Sequence, residues 1–512
     1  MLARSLNSLV GMGSRLRGGS IYPLLAFVIP LLLRAVPELV MGPYSVGFDT
    51  MGYYVPNIVM WQHGGISLWN YIAAAPLFYF LVVSFVASGG PLILVLKIIP
   101  VLLHGFLGLS IYVYAQKGLD WSPRKSIMTA LISTVYFVAL RVSWDLLRNE
   151  LALIFFFVVL TLLSARKDSA YSWKRYVLLS LAMMAVVLAH QLVSVIMLGV
   201  VLFTIVHQLL RKEHARVVNL IVVSLPAAIF FVIVYVGAVL GHFSFDFSIN
   251  SGWPLYGFSS YQSMLTSEVG FFLYCYLPML PLVLVSIKRF GNLQLRSWVL
   301  LSSVLLFIPI DVLSNFRWIL MFTYPLAFYV SDTMSKIKAV SWKRFRFTLH
   351  RFLIIYLVLM LSVLSLGFML LPPEKPLPYF DSGKCNSYIY QIPSSMLQNT
   401  VSIIDCQDTT NALHWFKDTV GENAFLLTHQ AFYGWALSTL SKDQVVLYQF
   451  DNPENAAATV AQEGHSQIYL IWWINGQGWY GQTTVPSSFV EVYHSGRIAV
   501  YSYLPNNMTN FK

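Results

Sequence analysis

The stretch Tyr71-Ile72-Ala73-Ala74-Ala75-Pro76-Leu77-Phe78-Tyr79-Phe80-Leu81-Val82-Val83-Ser84-Phe85-Val86-Ala87-Ser88 is apolar almost throughout and long enough to cross a bilayer as a helix. Its placement decides the topology of everything after it. The answer comes from the basic residues, most of which fall in six clusters: Arg4, Arg15, Arg17; Lys117, Arg124, Lys125; Arg166, Lys167, Lys174, Arg175; Arg211, Lys212, Arg216; Lys288, Arg289, Arg296; and Lys336, Lys338, Lys343, Arg344, Arg346, Arg351. Loops rich in lysine and arginine stay cytoplasmic. Keeping all six on one side requires crossings near 21–37, 91–115, 126–141, 149–165, 175–190, 192–209, 217–240, 269–287, 295–312, 317–333 and 351–371. It forbids residues 71–88 from crossing, because one more passage would turn every later basic loop outward. That stretch is expected to lie in, or dip into, the outer interface, within a long first outer loop, residues 38–90.

Composition agrees with this class. Of 512 residues, 57% are hydrophobic and 11% charged, and the mean hydropathy is +0.66. The expectation is a polytopic α-helical membrane protein of about 11 transmembrane helices, with a cytoplasmic N-terminus. The first span has no small-residue cleavage site and reads as a retained helix. The net charge of +11 sits in short loops, so it signals orientation and not nucleic acid. No internal repeat or matched pair of broken spans is visible, which counts against a transporter.

Three regions follow: a cytoplasmic tail 1–20, a membrane domain 21–371, and an extracytoplasmic domain 372–512 entered through the stiff segment Leu371-Pro372-Pro373-Glu374-Lys375-Pro376-Leu377-Pro378. In the last region helices are predicted at Thr409–Val420, Ala431–Leu440 and Pro453–Gln462. Strands are predicted at Ala424–Thr428, Val445–Gln449, Gln467–Trp473, Phe489–His494 and Ile498–Tyr503. Strands alternating with helices make a small α/β domain with a partly parallel sheet. Cys385 and Cys406 either form a disulfide there or are two free thiols, and Cys275 packs in a span. Asn507-Met508-Thr509 is a glycosylation sequon if it faces outward.

The chemistry is expected on the outer side. Asp49, in Gly47-Phe48-Asp49-Thr50-Met51-Gly52-Tyr53-Tyr54, follows the first span and suits an active site at the water–lipid boundary; the alternative is a solvated loop acid. Arg34, Lys97, Arg141, Arg148 and Arg317 map to outer span ends, against the charge trend, together with the acids Glu38, Asp145, Glu150, Glu268 and Asp311. Cations near hydrocarbon are costly and need a partner or a function; Arg34 and Lys97 are also placed to snorkel to headgroups. His190-Gln191, at an outer turn, offers a phosphate or sugar contact or a structural cap. His104, mid-span, reads as a packed residue. Trp61, Trp69 and Tyr53 suit either sugar stacking or an interfacial belt. A sugar carried on a lipid phosphate needs no strong acid to leave. It needs a carboxylate to take the acceptor proton and cations or a metal to hold charge on the departing phosphate.

These stretches resemble the GT-C class of membrane glycosyltransferases, which includes oligosaccharyltransferase catalytic subunits, protein mannosyltransferases and aminoarabinose transferases. Asp49 stands at the family's first-loop acid, followed by Ala75-Pro76-Leu77-Phe78-Tyr79 as the external helix. Arg141-Val142-Ser143-Trp144-Asp145-Leu146-Leu147-Arg148-Asn149 resembles the second outer loop. Phe316-Arg317-Trp318-Ile319-Leu320-Met321-Phe322-Thr323-Tyr324-Pro325-Leu326 resembles the span whose arginine faces the donor phosphate. Leu413-His414-Trp415-Phe416 through Trp435 resembles the start of an extracytoplasmic domain, with Thr428-His429-Gln430-Ala431-Phe432-Tyr433-Gly434 in place of the sequon-reading W-W-D-Y-G.

The resemblance implies an inverting enzyme that transfers a sugar, of the hexosyl type, from a polyprenyl (dolichyl) phosphate donor to a glycan, lipid or protein acceptor at the outer face. Asp49 and Asp145 would be catalytic, and Arg148, Arg317, Arg141 and His190 would bind the donor phosphate. Asp49, Asp145 and Glu268 would hold a divalent metal, Mg or Mn, if one takes part. An oligosaccharyltransferase-like enzyme and a lipid or solute transporter are the alternatives.

Overall fold

A computed structural model describes residues 21–63, 72, 75–164, 173–236, 249–251, 260–308, 310–312, 315–336, 349–370, 400–448, 452–478, 481–482 and 484–504. The tail 1–20, Trp69, the proline-rich exit, Cys385 and the sequon at Asn507 lie outside the described residues.

The helices in chain order are α1 (Ile21–Val40), α2 (Val55–His63), α3 (Leu77–Ala87), α4 (Leu92–Val113), α5 (Pro123–Val135), α6 (Phe137–Asp145), α7 (Leu147–Leu163), α8 (Trp173–Ala189), α9 (Gln191–Leu210), α10 (His214–Phe231), α11 (Tyr261–Tyr276), α12 (Leu280–Ile287), α13 (Leu293–Phe307), α14 (Asn315–Met321), α15 (Thr323–Lys336), α16 (Leu349–Leu370), α17 (Ile403–Trp415), α18 (Gln430–Thr439) and α19 (Pro453–Gln462). Two short strands, β1 (Ile249–Ser251) and β2 (Ile310–Val312), pair antiparallel across the three helices between them. The C-terminal strands are β3 (Phe425–Thr428), β4 (Val445–Leu447), β5 (Ile468–Trp473), β6 (Gln477–Gly478), β7 (Gly481–Gln482), β8 (Phe489–Ser495) and β9 (Ile498–Tyr503).

Each expected span overlaps a helix or a helix pair. Among the described residues five helices are long and apolar enough to cross a membrane: α1, α4 with its continuation to Gly118, α9, α10 and α16. Two bent pairs, α5–α6 at 62° and α11–α12 at 94°, raise the number to seven. The remaining expected crossings rest on shorter or less apolar helices, so eleven passages stay a proposal. Helix α3 has 11 residues. At 1.5 Å per residue it is about 16 Å long, against about 30 Å of hydrocarbon.

By contact the chain forms two units: Met1–Pro37, Ser67–Phe78 and Ile98–Gln398, and Glu38–Ile66, Tyr79–Lys97 and Asn399–Lys512. The first is a helical bundle. Helices α1 and α4 approach closely at Gly108, where a Cβ would lie 2.2 Å from the Ala26 carbonyl oxygen, as small residues allow between membrane helices. Phe157, Trp298, Tyr324 and Phe328 form an aromatic core with ring centroids 6.0–6.2 Å apart along the chain of contacts from Trp298 through Phe157 to Phe328. The helix breaks leave carbonyls that hydrocarbon cannot satisfy, and distant side chains satisfy them. Ser365 of α16 donates to the Val135 oxygen and Tyr136 to the Cys275 oxygen. Tyr356 donates to the Pro278 oxygen, and Tyr276 adds a hydrogen bond at 2.6 Å to the Ile319 oxygen, which also accepts the Phe322 N–H.

Charges in this unit are used in the same way. Arg34 is buried, donates to the carbonyls of Ser143 (3.0 Å) and Trp144 (3.3 Å), and lies 5.3 Å from the Trp144 ring centre. It caps the negative end of α6 and does not snorkel. Asp332, which the sequence reading passed over, accepts from Lys125 (2.8 Å), Ser286 (2.8 Å) and Lys336 (2.7 Å).

The second unit is the α/β domain together with the first-loop residues. Its sheet runs β4-β3-β5-β9-β8, parallel for β4, β3 and β5 and antiparallel through β9 and β8. The predicted strands and helices are present, with the first helix beginning earlier, at Ile403, because Ser402 caps it through the Asp405 N–H. Lys97 is likewise no snorkelling residue: its ammonium donates to Glu38 Oε2 at 3.0 Å and to the Glu38 carbonyl at 2.8 Å. Cys406 is buried with a free thiol.

Candidate functional site

In the helical unit, three of the expected phosphate-binding residues share one neighbourhood. Arg148 sits in the first turn of α7, directly after the bend at Leu146. His190 is the N-cap of α9, its Nδ1 accepting the Leu192 N–H at 3.1 Å. That bond puts the ring proton on Nε2. Arg148 Nη2 donates to Gln191 Oε1 at 3.3 Å, so the N-termini of α7 and α9 lie side by side. The charges of both Arg148 and Arg317 act on the His190 ring. Arg317, in α14, has a buried Nε that meets no acceptor among the described residues. Tyr235 also lies within electrostatic reach of Arg148, its hydroxyl donating to the Val187 carbonyl at 2.6 Å.

The arrangement is therefore rich in donors: two guanidinium groups, an imidazole N–H and two adjacent helix N-termini. Like charges gathered in an apolar bundle repel unless an anion joins them, and helix N-termini favour the same occupant. Donors arranged in this way are chemically able to take up a phosphate-sized anion.

Both Arg141 and Asp145 are buried, and they pair with each other one turn apart on α6. Each compensates the other's desolvation. Asp145 is a partner of Arg141, not an exposed acid. Glu268 is buried on α11, which packs on α14 through Phe271 and Phe316 at 5.7 Å. Among the described residues of either unit, no group of three or more histidine, cysteine or acidic side chains is placed to hold a metal ion. The expected metal set thus gains no ligand group.

One buried pair was missed by sequence reasoning. His104 Nδ1 lies 2.6 Å from Glu150 Oε1, and its Nε2 lies 3.0 Å from the Thr134 carbonyl. A carbonyl can only accept, so Nε2 carries a proton, and a second proton is shared between Nδ1 and the carboxyl. The pair is neutral overall, which is how two ionisable groups, each 0% exposed, persist in the bundle. The partners lie 46 residues apart, and no local spacing signals them.

In the second unit Asp49 precedes a π-turn, Thr50–Tyr54, that leads into α2. Within residues 45–52 every other residue is buried, and Asp49 alone is half-exposed. Helix α18 holds this run in place. Phe48 and Trp435 have ring centres 6.4 Å apart, and a Cβ at Gly434 would lie 1.7 Å from the Met51 carbonyl oxygen. Only glycine permits that approach. Helix α3 packs on α2 through Tyr79 and Trp61, 5.4 Å between centres. The N-cap of α18 is His429, whose Nδ1 accepts the Ala431 N–H at 3.2 Å. Burial lowers the His429 pKa, and the cap bond requires the neutral ring. Asp49 is thus a carboxylate on a fixed backbone, the preorganisation a general base needs.

No family model matches the chain. No curated protein matches it by sequence. Solved structures do. The structure of ArnT from Cupriavidus metallidurans bound to undecaprenyl phosphate is similar with a TM-score of 0.51 at 12% identity, covering 94% of this chain and 98% of that one. The apo state of the same protein is similar with a TM-score of 0.53 at 13% identity, covering 94% and 97%. The chain therefore has an ArnT-like GT-C fold, that of a multi-pass membrane protein with a C-terminal sheet domain.

Proposed function

We propose that the protein is a membrane glycosyltransferase that uses a sugar linked to a polyprenyl phosphate and works at the extracytoplasmic face. The observation that carries this reading is the contact of Arg148 with Gln191 beside His190, at two adjacent helix N-termini inside an apolar bundle, with the charge of Arg317 acting on the same imidazole. The ArnT-like fold supports it, since that neighbour was solved with undecaprenyl phosphate bound. In this reading the two guanidinium groups and the Nε2–H of His190 take up charge on the phosphate as the glycosidic oxygen departs with it. Asp49 accepts the proton of the acceptor hydroxyl, which attacks the anomeric carbon from the opposite side and inverts it. A phosphate leaves without a general acid, so none is assigned. Asp145, paired with Arg141 on α6, holds that guanidinium in place beside the bend that leads into Arg148.

The decisive experiment supplies purified full-length protein with radiolabelled polyprenyl-phosphate sugars and membrane lipid extract. Label should move to an acceptor, and Arg317→Gln should abolish most of the transfer while leaving the unfolding midpoint unchanged. Failure of every donor in the series, or full activity in Arg317→Gln, removes the reading.

A further inference from the structure

A second polar site lies in the helical unit, formed by the turns that carry the basic loops. A cavity of about 280 Å³ opens between the ends of α7 and α9 and the starts of α10 and α13, with Arg211, Glu213, Arg216, Asn292 and Gln294 among its lining residues. At about 30 Å³ per water it holds roughly nine water molecules' worth of space, room for a phosphodiester headgroup. Its convergence of the loops after Gly118, Ser164 and Leu210 and before Leu293 puts four basic turns at one end of the bundle, the cytoplasmic end by the positive-inside rule.

The lining is built for an anion. Gln294 is 6% exposed, and its Oε1 accepts from both Tyr114 (3.0 Å) and Ser164 (2.8 Å). Those two donors fix the amide and leave its NH2 edge for the cavity. Glu213 pairs with Arg216 at 2.7 Å and offsets that charge. Arg211 has no ion-pair partner among the described residues, so the site keeps a net positive charge.

The occupant's other half is indicated by α13. Leu293 lines the cavity, and at helical spacing the same face of α13 continues as Leu300, Val304 and Phe307, exposed by 51, 47 and 54%. A charged cavity that runs into an exposed apolar stripe fits a molecule with an anionic head and an alkyl tail. We propose that this cavity binds the headgroup of an anionic phospholipid from the cytoplasmic leaflet, one acyl chain lying along Leu300, Val304 and Phe307. This site is separate from the Arg148–Arg317 cluster and does not depend on the glycosyltransferase reading.

Native mass spectrometry of the detergent-solubilised full chain tests the proposal, with phosphatidylglycerol, phosphatidylcholine and inorganic phosphate as probes. The parent should retain phosphatidylglycerol in preference to phosphatidylcholine. Gln294→Glu keeps acceptor oxygens for Tyr114 and Ser164 while turning the cavity edge negative, and it should weaken phosphatidylglycerol binding about tenfold. Arg211→Gln, at an exposed position, should weaken it similarly with no change in unfolding midpoint, so a folding defect in the first variant cannot mimic the result. Equal retention of the two lipids, unchanged binding in both variants, or inorganic phosphate binding as tightly as the lipid would each overturn the proposal.

Discussion

Replacing Gly434 with alanine puts a methyl carbon 1.7 Å from the Met51 carbonyl oxygen, 2.6 Å from its carbonyl carbon and 3.1 Å from its Cα. All three atoms are backbone, so no rotamer change relieves the overlap. Either α18 or the π-turn must retreat by more than an ångström, which would disturb the contact of Phe48 with Trp435. Overpacking of a well-filled site costs about 1–3 kcal/mol, and a backbone-on-backbone clash belongs at the upper end. At about 2–4 °C per kcal/mol for a unit of this size, the apparent unfolding midpoint should fall by about 6–12 °C. The assay is thermal unfolding of the purified full-length protein followed by tryptophan fluorescence. Gly291→Ala is the control, since a Cβ there meets nothing within 4 Å, and should change stability by less than about 0.5 kcal/mol. Met51→Ala in the Gly434→Ala background should not restore the midpoint, because the obstructing atoms remain. Equal midpoints for Gly434→Ala and Gly291→Ala would refute the close approach, and with it the claim that α18 fixes the Asp49 backbone.

Other perturbations separate site residues from structural ones. Asp49→Asn should reduce transfer by about 10²- to 10⁴-fold, the range for loss of a general base, with the unfolding midpoint retained; Arg148→Gln should lower kcat/KM by about 10- to 150-fold, the equivalent of one charge-assisted hydrogen bond. Glu150→Gln can donate its amide N–H to His104 Nδ1 and should cost under about 1 kcal/mol, whereas His104→Leu strands a buried carboxyl and should cost about 3–5 kcal/mol in thermal unfolding. For His429 the folded pKa is below the unfolded value near 6.5, so the unfolded chain binds more protons between the two. Stability is then full above pH 6.5 and declines as pH falls through it; His429→Asn, which keeps a capping oxygen, should flatten that part of the midpoint-versus-pH curve. Burial, with Asp405 adding to it, pushes the Cys406 thiol up to about 12, so iodoacetamide at pH 8 should leave it unmodified in the native protein and alkylate it after denaturation, as read by peptide mass.

Much of this architecture was legible because it is local. The C-terminal strands are short apolar runs bounded by turn residues such as Gly421 and Gly496, and they appear close to their expected bounds. The count of basic loops kept residues 71–88 out of the crossing set, and the helix found there, Leu77–Ala87, has 11 residues. Arg148, Arg317 and His190 could be singled out as charges on the costly side of the bundle. What sequence could not show was which of several outer cations compensate one another. The i,i+4 spacing of Arg141 and Asp145 on one helix face was a readable sign of their pairing. Arg34 capping α6, Lys97 holding Glu38, and His104 meeting Glu150 depend on contacts across 46 to 110 residues, which only the packed bundle brings together. Gly434 was invisible for a related reason: a glycine inside a helix looks like a weak point until the turn lying across it is known.

The hydrogen bonds that close the helix breaks set a schedule for biogenesis. Val135 and Pro278 lie in the first and middle parts of the chain, yet the hydroxyls that satisfy their oxygens, Ser365 and Tyr356, belong to α16. Until that segment leaves the ribosome and inserts, the nascent bundle must shelter bare peptide groups with water, lipid headgroups or a chaperone. Chains ending before α16 should accordingly be recognised as unfinished and degraded, although they already contain Arg148, His190 and Arg317.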